Sequence, residues 1–275
     1  MSTVHTLPLK RKNSIVYLLT LLIAILTALV SIAGLLYRDL IYPTEEFVQS
    51  FVPNDVVNIL IGLPILLISL WSSMRGKLLG LLFLTGAIFF GFYNSIAYVF
   101  SLPLTWGFIL HLILVVMDIY TLIALVTNID GKVIQHQFRG SVHEKLSGGI
   151  IAGFGILFLL RVLIVLASSL INGETMLRTE LAPNIADAFI GPSLVVVGLA
   201  LWKQKVIGYV AGLGLLFQVS MLFIGLIVFL LLQPILTSAP FAFTDILVVL
   251  AMGLVSFVPL GLFIRGVIKH SKSVA

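Results

Sequence analysis

The chain has 275 residues, of which 60% are hydrophobic and only 10% are charged. Soluble domains carry about 25% charged residues, so this composition, with a mean hydropathy of +1.20, indicates an integral membrane protein and excludes an ordinary soluble domain. The absence of cysteine excludes disulfides, thiol redox chemistry and iron–sulfur ligation. The net charge of +5 comes from Lys and Arg in short loops beside apolar segments, so we expect no nucleic-acid partner.

Eight apolar segments follow one another along the chain, and most approach the roughly 20 residues needed to cross a bilayer. The first is longer than a signal-peptide core of about 7 to 15 residues, so we interpret it as a membrane helix although residues 31–34 loosely resemble a cleavage site. The predicted spans are approximately 14–36, 55–71, 78–100, 104–126, 146–168, 185–202, 206–232 and 241–267. The predicted fold class is therefore an all-α integral membrane protein with eight transmembrane helices.

The positions of Lys and Arg predict the orientation of these spans. Only Arg38 and Arg178 fall in loops on one side, and Arg161 lies inside a span. The other thirteen of the sixteen basic residues fall on the opposite side: Lys10, Arg11, Lys12, Arg75, Lys77, Lys132, Arg139, Lys145, Lys203, Lys205, Arg265, Lys269 and Lys272. Because basic loops stay cytoplasmic, both termini are predicted to be cytoplasmic, in a plasma membrane.

The two halves of the chain repeat the same short motifs in the same order. Thr44-Glu45 precedes Pro53-Asn54 as Thr179-Glu180 precedes Pro183-Asn184, and an Ile-Gly pair follows each. We interpret this as an internal duplication. Because four helices return the chain to its starting side, the sequence predicts two parallel four-helix repeats. The predicted parts are a cytoplasmic segment 1–13, a first repeat 14–127, a cytoplasmic linker 128–145, a second repeat 146–268 and a cytoplasmic tail 269–275.

Both Thr-Glu stretches are predicted to lie on the outer face. Thr44 is suited to cap a short amphipathic helix with Glu45 in its first turn, and Pro53 is expected to limit its length. Such a helix could simply cover the end of the bundle, or it could present a surface to a protein partner. Further along, Pro64 and Pro192 are expected to kink the second and sixth spans.

Ionisable residues inside the membrane suggest a site in the outer leaflet. Arg161 lies roughly 21 Å from the cytoplasmic end of its span, and His111 lies at nearly the same depth. The predicted binding site contains these two residues with Asp187 and Asp245, roofed by Glu45 and Glu180. A guanidinium there could hold the carboxylate or phosphate of a small anionic ligand or lipid. The alternative is that Arg161 pairs with Asp187 or Asp245 and locks the halves together.

Asp118 lies deeper, in the inner half of the bilayer. It is predicted either to be a proton or cation site, or to be a neutral acid that hydrogen-bonds to a neighbouring helix. No stretch has the spacing of a phosphate loop, a zinc site, a nucleophile elbow or paired haem histidines. We therefore expect no cofactor, no metal and no catalytic residue.

Residues 36–46, which include Tyr42-Pro43-Thr44, and residues 208–218 resemble a group of uncharacterised prokaryotic multi-pass membrane proteins. This resemblance implies a bacterial or archaeal plasma membrane. It carries no activity and no site residue.

Three functional hypotheses follow from these features. The first is binding or transport of a small anionic or amphiphilic solute in an outer-leaflet pocket between the repeats. The second is a non-catalytic accessory or scaffold protein that uses the two Thr-Glu stretches. The third is a lipid-acting membrane enzyme with His111 or Asp187 as general base, which no nucleophile or metal pattern supports.

Overall fold

The computed structural model describes residues 7–173 and 175–273, with side chains described as far as residue 268. These residues form helices and no β-strand, and eight helical segments are long and apolar enough to cross a membrane. Large apolar side chains such as Ile164 and Leu170 stay 66% and 82% exposed, as expected where the surrounding solvent is lipid. The prediction of an all-α, multi-pass membrane protein is confirmed.

The helices are numbered in chain order: α1 (Ser14–Leu36), α2 (Arg38–Ile41), α3 (Glu45–Val57), a π-helical turn (Asn58–Gly62), α4 (Leu63–Met74), α5 (Leu78–Ser101), α6 (Trp106–Asn128), α7 (Gly131–Phe138), α8 (Glu144–Asn172), α9 (Arg178–Trp202), α10 (Val206–Leu236) and α11 (Phe243–Ser273). Residues 1–6 and 274–275 of the predicted end segments lie outside the described residues, as do the side chains of Lys269 and Lys272.

The segments between the spans lie at two faces of the bundle. We call the face that carries residues 7–13, 75–77, 129–143 and 203–205 the terminal face, and the face that carries residues 37–44, 102–105, 175–177 and 237–242 the distal face. Backbone hydrogen bonds of 2.8 Å join Lys10 to Asn128 and Asp130 to Pro8, which fixes the N-terminal segment against the end of α6. The predicted linker is not a plain loop, because it contains α7, whose first turn is capped by the Asp130 carboxylate.

The second span begins earlier in the chain than predicted. Thr44 is the N-cap as expected, and its Oγ1 accepts a hydrogen bond from the backbone N–H of Phe47 at 3.4 Å. The helix does not end at Pro53, however, and one continuous candidate span runs from Glu45 to Met74. The sixth span likewise starts at Arg178, so both Thr-Glu stretches are first turns of long helices and not separate surface helices.

A side chain from the other half explains why Pro53 does not end α3. Proline has no N–H, so the carbonyl of Gln49, four residues earlier, loses its helical partner. Gln233 of α10 donates its Nε2–H to that carbonyl at 3.1 Å. Because the freed carbonyl is satisfied from a neighbouring helix, the helix continues through the proline.

The π-helical turn accounts for a length difference between the matched segments. Pro53 and Gly62 are nine positions apart, whereas Pro183 and Gly191 are eight apart. A π-helical turn holds one more residue than an α-helical turn, and it occupies Asn58–Gly62 in the first segment only. The extra residue is therefore absorbed inside the helix, in the turn that ends two residues before Pro64.

Helices α5 and α10 form the centre of the contact between α1–α6, the first half, and α8–α11, the second half. They cross at Gly86 and Gly214, where a methyl group on Gly86 would overlap the Gly214 carbonyl. Helix α5 also packs against α9, and α10 packs against α3. Under the predicted duplication, the pair α5–α9 corresponds to the pair α10–α3.

Candidate functional site

A cavity of about 440 Å³ lies between the two halves. Its walls come from α3 and α5 of the first half and from all four helices of the second half. Most lining side chains are apolar, including Phe90, Phe158, Phe223 and Phe229. Ligand sites for small molecules have volumes of about 300 to 1,000 Å³ and the same mixture of apolar walls with a few polar groups.

One ion pair lines this cavity. Arg161 of α8 and Asp187 of α9 approach with Nη1 and Oδ2 3.6 Å apart, and Tyr93 of α5 donates its hydroxyl to Asp187 Oδ1 at 3.0 Å. The Asp187 side chain is 2% exposed and that of Arg161 is 50% exposed. The sequence therefore placed Arg161 and Asp187 correctly beside each other.

The Arg161 guanidinium is only partly used by this contact. A separation of 3.6 Å is longer than a hydrogen bond, and Asp187 Oδ2 has no hydrogen-bond partner. A guanidinium carries five N–H donors. Among the described residues Asp187 is its one acidic partner, so most of those donors are available to a second anion.

The alternative interpretation of Arg161 was that its ion pair locks the two halves together. The observed ion pair does not join the halves. Arg161 and Asp187 both belong to the second half, and it is the hydroxyl of Tyr93 that crosses to them from the first. The halves are also joined at the distal face, where Glu46 Oε1 accepts hydrogen bonds from the Thr179 backbone N–H, at 3.4 Å, and from its hydroxyl. The two Thr-Glu stretches therefore meet, through an acid that the predicted site did not include.

The other predicted outer-leaflet residues lie away from the cavity lining. Asp245 is exposed in the first turn of α11 and pairs with no described residue. Glu45 accepts hydrogen bonds from Ser238 at 2.6 Å and from Gln49 at 3.3 Å. Glu180 accepts one at 3.3 Å from the backbone N–H of Leu177, which precedes its own helix. All three carboxylates are thus at the distal ends of helices and not over Arg161.

His111 belongs to a different buried cluster in the first half. Its ring stacks on Tyr98 with the ring centroids 4.2 Å apart and the planes 6° apart. Its Nδ1 lies 2.8 Å from the Gly107 carbonyl oxygen, and because a carbonyl can only accept, Nδ1 carries the proton. His111 is therefore held by packing and by its own helix, and it does not contact Arg161.

Asp55 is the centre of that cluster, and it is not among the predicted site residues. The residue is fully buried, and its two carboxylate oxygens accept hydrogen bonds from Tyr42 at 2.6 Å and Tyr98 at 2.7 Å. Burial, and then the charge of Asp55, raise the pKa of Tyr42, which lies in the distal-face segment before α3. Pro53 is the signal that misleads here, because a helix end at Pro53 predicts Asp55 at the membrane surface.

Asp118 lies deeper, between α6 and α5. It is 1% exposed, and its carboxyl group receives one long hydrogen bond, 3.5 Å from Ser95 Oγ to Oδ2. Its Oδ1 has no hydrogen-bond partner. Helices α1 and α5, which pack against α6, contain no Lys, Arg, Asp or Glu, so they offer Asp118 no counter-charge.

A small cavity of about 20 Å³ lies between the Asp55 cluster and Asp118. Asn58, Ser95, Tyr98 and His111 are among its lining residues. A polar space of this size holds about one water molecule. Buried polar groups are thus nearly continuous from Tyr42 at the distal face to Asp118.

No protein-family model, curated protein or solved structure matches this chain. What the molecule itself establishes is its class, an all-α multi-pass membrane protein with eight spans. The cavity and its charges are therefore the features of the molecule that bear on function.

Proposed function

We propose that the protein binds and transports a small amphiphilic solute with one anionic group. The binding site is the cavity between the halves. The observation that carries this proposal is the cavity-lining guanidinium of Arg161, which is only partly engaged by Asp187. An anionic group of the solute would accept the remaining N–H donors. The apolar body would pack against the phenylalanine-rich walls.

The position of Arg161 favours an anion and not a neutral solute. A charged group inside a membrane is costly, by roughly 2.5 to 3.5 kcal/mol on insertion scales, so its retention calls for a partner. Asp187 supplies one partner at a distance that leaves the pair loose. A second carboxylate or a phosphate would complete the guanidinium's coordination.

Native mass spectrometry of protein released from lipid nanodiscs tests this proposal. We expect a discrete bound species on the wild type that Arg161→Gln loses, because a hydrogen bond to a charged group contributes about 1.5 to 3 kcal/mol, or roughly 10- to 150-fold in affinity. Arg38→Gln is the matched control, because Arg38 also makes one 3.6 Å acidic contact and is 52% exposed, but lies outside the cavity. A species retained by Arg161→Gln, or lost equally by Arg38→Gln, would overturn the proposal.

We also propose that Asp118 carries a proton, which would give a transporter a site for proton coupling. This is supported by its burial without a counter-charge from α1 or α5 and by its unpartnered Oδ1. Ser95, which hydrogen-bonds to Asp118, lines the small cavity together with His111 and Tyr98, and Asp55 lies behind Tyr98. The infrared spectrum of Asp118→Asn should lack a carbonyl stretch of a protonated carboxyl group that the wild-type spectrum contains. Asp39→Asn, at an exposed acid, should not lose it, and an unchanged band in Asp118→Asn would refute the assignment.

For the orientation, we propose that the terminal face is cytoplasmic and that the membrane is the plasma membrane of a bacterium or archaeon. The basic loops of that face and the resemblance to prokaryotic membrane proteins support this. Because the chain has no cysteine, one introduced at Ser238 or at Lys203 is unique. In intact cells a membrane-impermeant maleimide should label the first and spare the second. The reverse labelling would invert the assignment.

A further inference from the structure

A second cavity, of about 930 Å³, lies at the terminal face, remote from the proposed solute site. It is formed by the N-terminal segment from Leu7 to Asn13, the first turn of α1 and the end of α4. Nothing in the solute proposal uses this cavity. Its lining chemistry differs sharply from that of the cavity between the halves.

The charged residues that line this second cavity all have the same sign. Arg11, Lys12 and Arg75 line it, and none of them forms an ion pair with a described residue. No lining residue is acidic, and residues 1–6, whose structure is not described, contain no acid in sequence. The Arg75 guanidinium lies 3.8 Å from the centroid of the Trp71 ring, which restricts its orientation.

Uncharged donors add to these cations. Helix α1 begins at Ser14 without a side-chain cap, so the N–H groups of its first turn and the positive end of its dipole are available to an anion. Asn13 lines the cavity, is only 4% exposed, and has no hydrogen-bond partner for its Nδ2. Its Oδ1 accepts a hydrogen bond from Asn128, and because the Nδ2 atom is itself buried, the amide must turn towards the cavity for a bound oxyanion to satisfy this donor.

We propose that this terminal-face cavity binds the phosphate group of an anionic ligand. Arg11 and Arg75 provide guanidinium groups suited to phosphate oxygens, and Asn13 with the first turn of α1 provides neutral donors. Trp71 is 50% exposed at the end of its span, where aromatic residues mark the level of lipid headgroups. An anionic phospholipid therefore presents its phosphate at the depth of the cavity, and free phosphate is the other source of the same chemistry.

Native mass spectrometry tests the lipid source, with nanodiscs of phosphatidylcholine containing a minor share of phosphatidylglycerol. We compare the wild type with the double variant Arg11→Gln/Arg75→Gln. The control is Lys203→Gln/Lys205→Gln, which removes the same charge from exposed positions on the same face. At about 1 kcal/mol for each cation that contacts the bound phosphate, the double variant should retain phosphatidylglycerol roughly 30-fold less well. Lys203 and Lys205 do not line the cavity and cannot contact a phosphate bound in it, so the control should retain the lipid as the wild type does.

A second arm tests free phosphate in nanodiscs of phosphatidylcholine alone. If inorganic phosphate raises the melting temperature of the wild type and the control, but not of the double variant, the cavity binds phosphate and the source is soluble. Lys12→Gln, at an exposed side chain, covers the case in which the double variant does not fold, and should weaken retention roughly 5-fold. The proposal is overturned if neither arm separates the cavity variants from the Lys203→Gln/Lys205→Gln control.

Discussion

Asp187→Asn is expected to strengthen the binding of an anionic solute, which is the opposite of the effect expected for Arg161→Gln. Asparagine keeps an oxygen that can accept the Tyr93 hydroxyl, so the 3.0 Å contact between the halves is retained while the negative charge is removed. A ligand carboxylate on the open side of the guanidinium would lie about 6 Å from Asp187. Coulomb repulsion there is about 2.8 kcal/mol at an effective dielectric constant of 20 and about 0.7 kcal/mol at 80. Because Arg161 is half exposed, the gain in affinity should fall between these limits, at roughly 3- to 100-fold.

The assay is a titration of decanoate followed by native mass spectrometry, in nanodiscs of one neutral lipid so that partition into the bilayer is the same for all variants. Decanol, which lacks the charge, is the control ligand and should bind wild type and Asp187→Asn alike. In the double variant Arg161→Gln/Asp187→Asn the charge-specific gain should shrink, because its attractive centre is gone. Weaker decanoate binding by Asp187→Asn, or an equal gain for decanol, would refute the electrostatic reasoning.

Two further predictions concern the packing around the site. Gly34→Ala should lower the free energy of unfolding by about 1 to 3 kcal/mol, because its methyl group would overlap the buried Asp55 carboxylate. Gly153→Ala is the control and should be nearly neutral, because its methyl group would have no neighbouring atom within 4 Å. Equal melting temperatures of the two variants would contradict this prediction. Gln233→Leu should lower the free energy of unfolding by about 1 to 3 kcal/mol in the wild type, because the Gln49 carbonyl loses its donor. The loss should be smaller in a Pro53→Ala background, where the restored N–H of residue 53 can satisfy the same carbonyl. Additive losses in a double-mutant cycle would show that Gln233 does not act through that carbonyl.

The sequence was sufficient for the class, the number of spans and one contact of the site. Apolar segments of membrane-spanning length can be recognised without knowing their neighbours. Arg161 and Asp187 could be paired because ionisable residues inside spans are rare, and few combinations lie at similar depth. The prediction failed for Asp245, because α11 begins at Phe243 and its first turn reaches the surface, where a carboxylate is solvated without an arginine.

The buried Asp55 cluster could not have been predicted from local patterns. Pro53 normally indicates that a helix ends, and the group that overrides it, Gln233, is 184 residues from the carbonyl that it satisfies. Once the helix continues, Asp55 enters the bundle and needs donors, which Tyr42 and Tyr98 provide. A single distant hydrogen bond thus decides whether an acid lies at the membrane surface or in the core.

Asp55 of the first half and Asp187 of the second half are held in different ways, and this difference favours the second half as the origin of the proposed solute site. Asp55 is satisfied by two neutral hydroxyl groups and needs no cation, whereas Asp187 lies beside Arg161. Helix α1, which corresponds to α8 under the predicted duplication, contains no Lys or Arg. Only the second half therefore presents a guanidinium to the cavity, and the first half contributes apolar walls and the Tyr93 hydroxyl. In the proposed binding mode, a cavity with one charged wall would give the solute one orientation, with its anionic end at α8 and its apolar body towards α5 and α10.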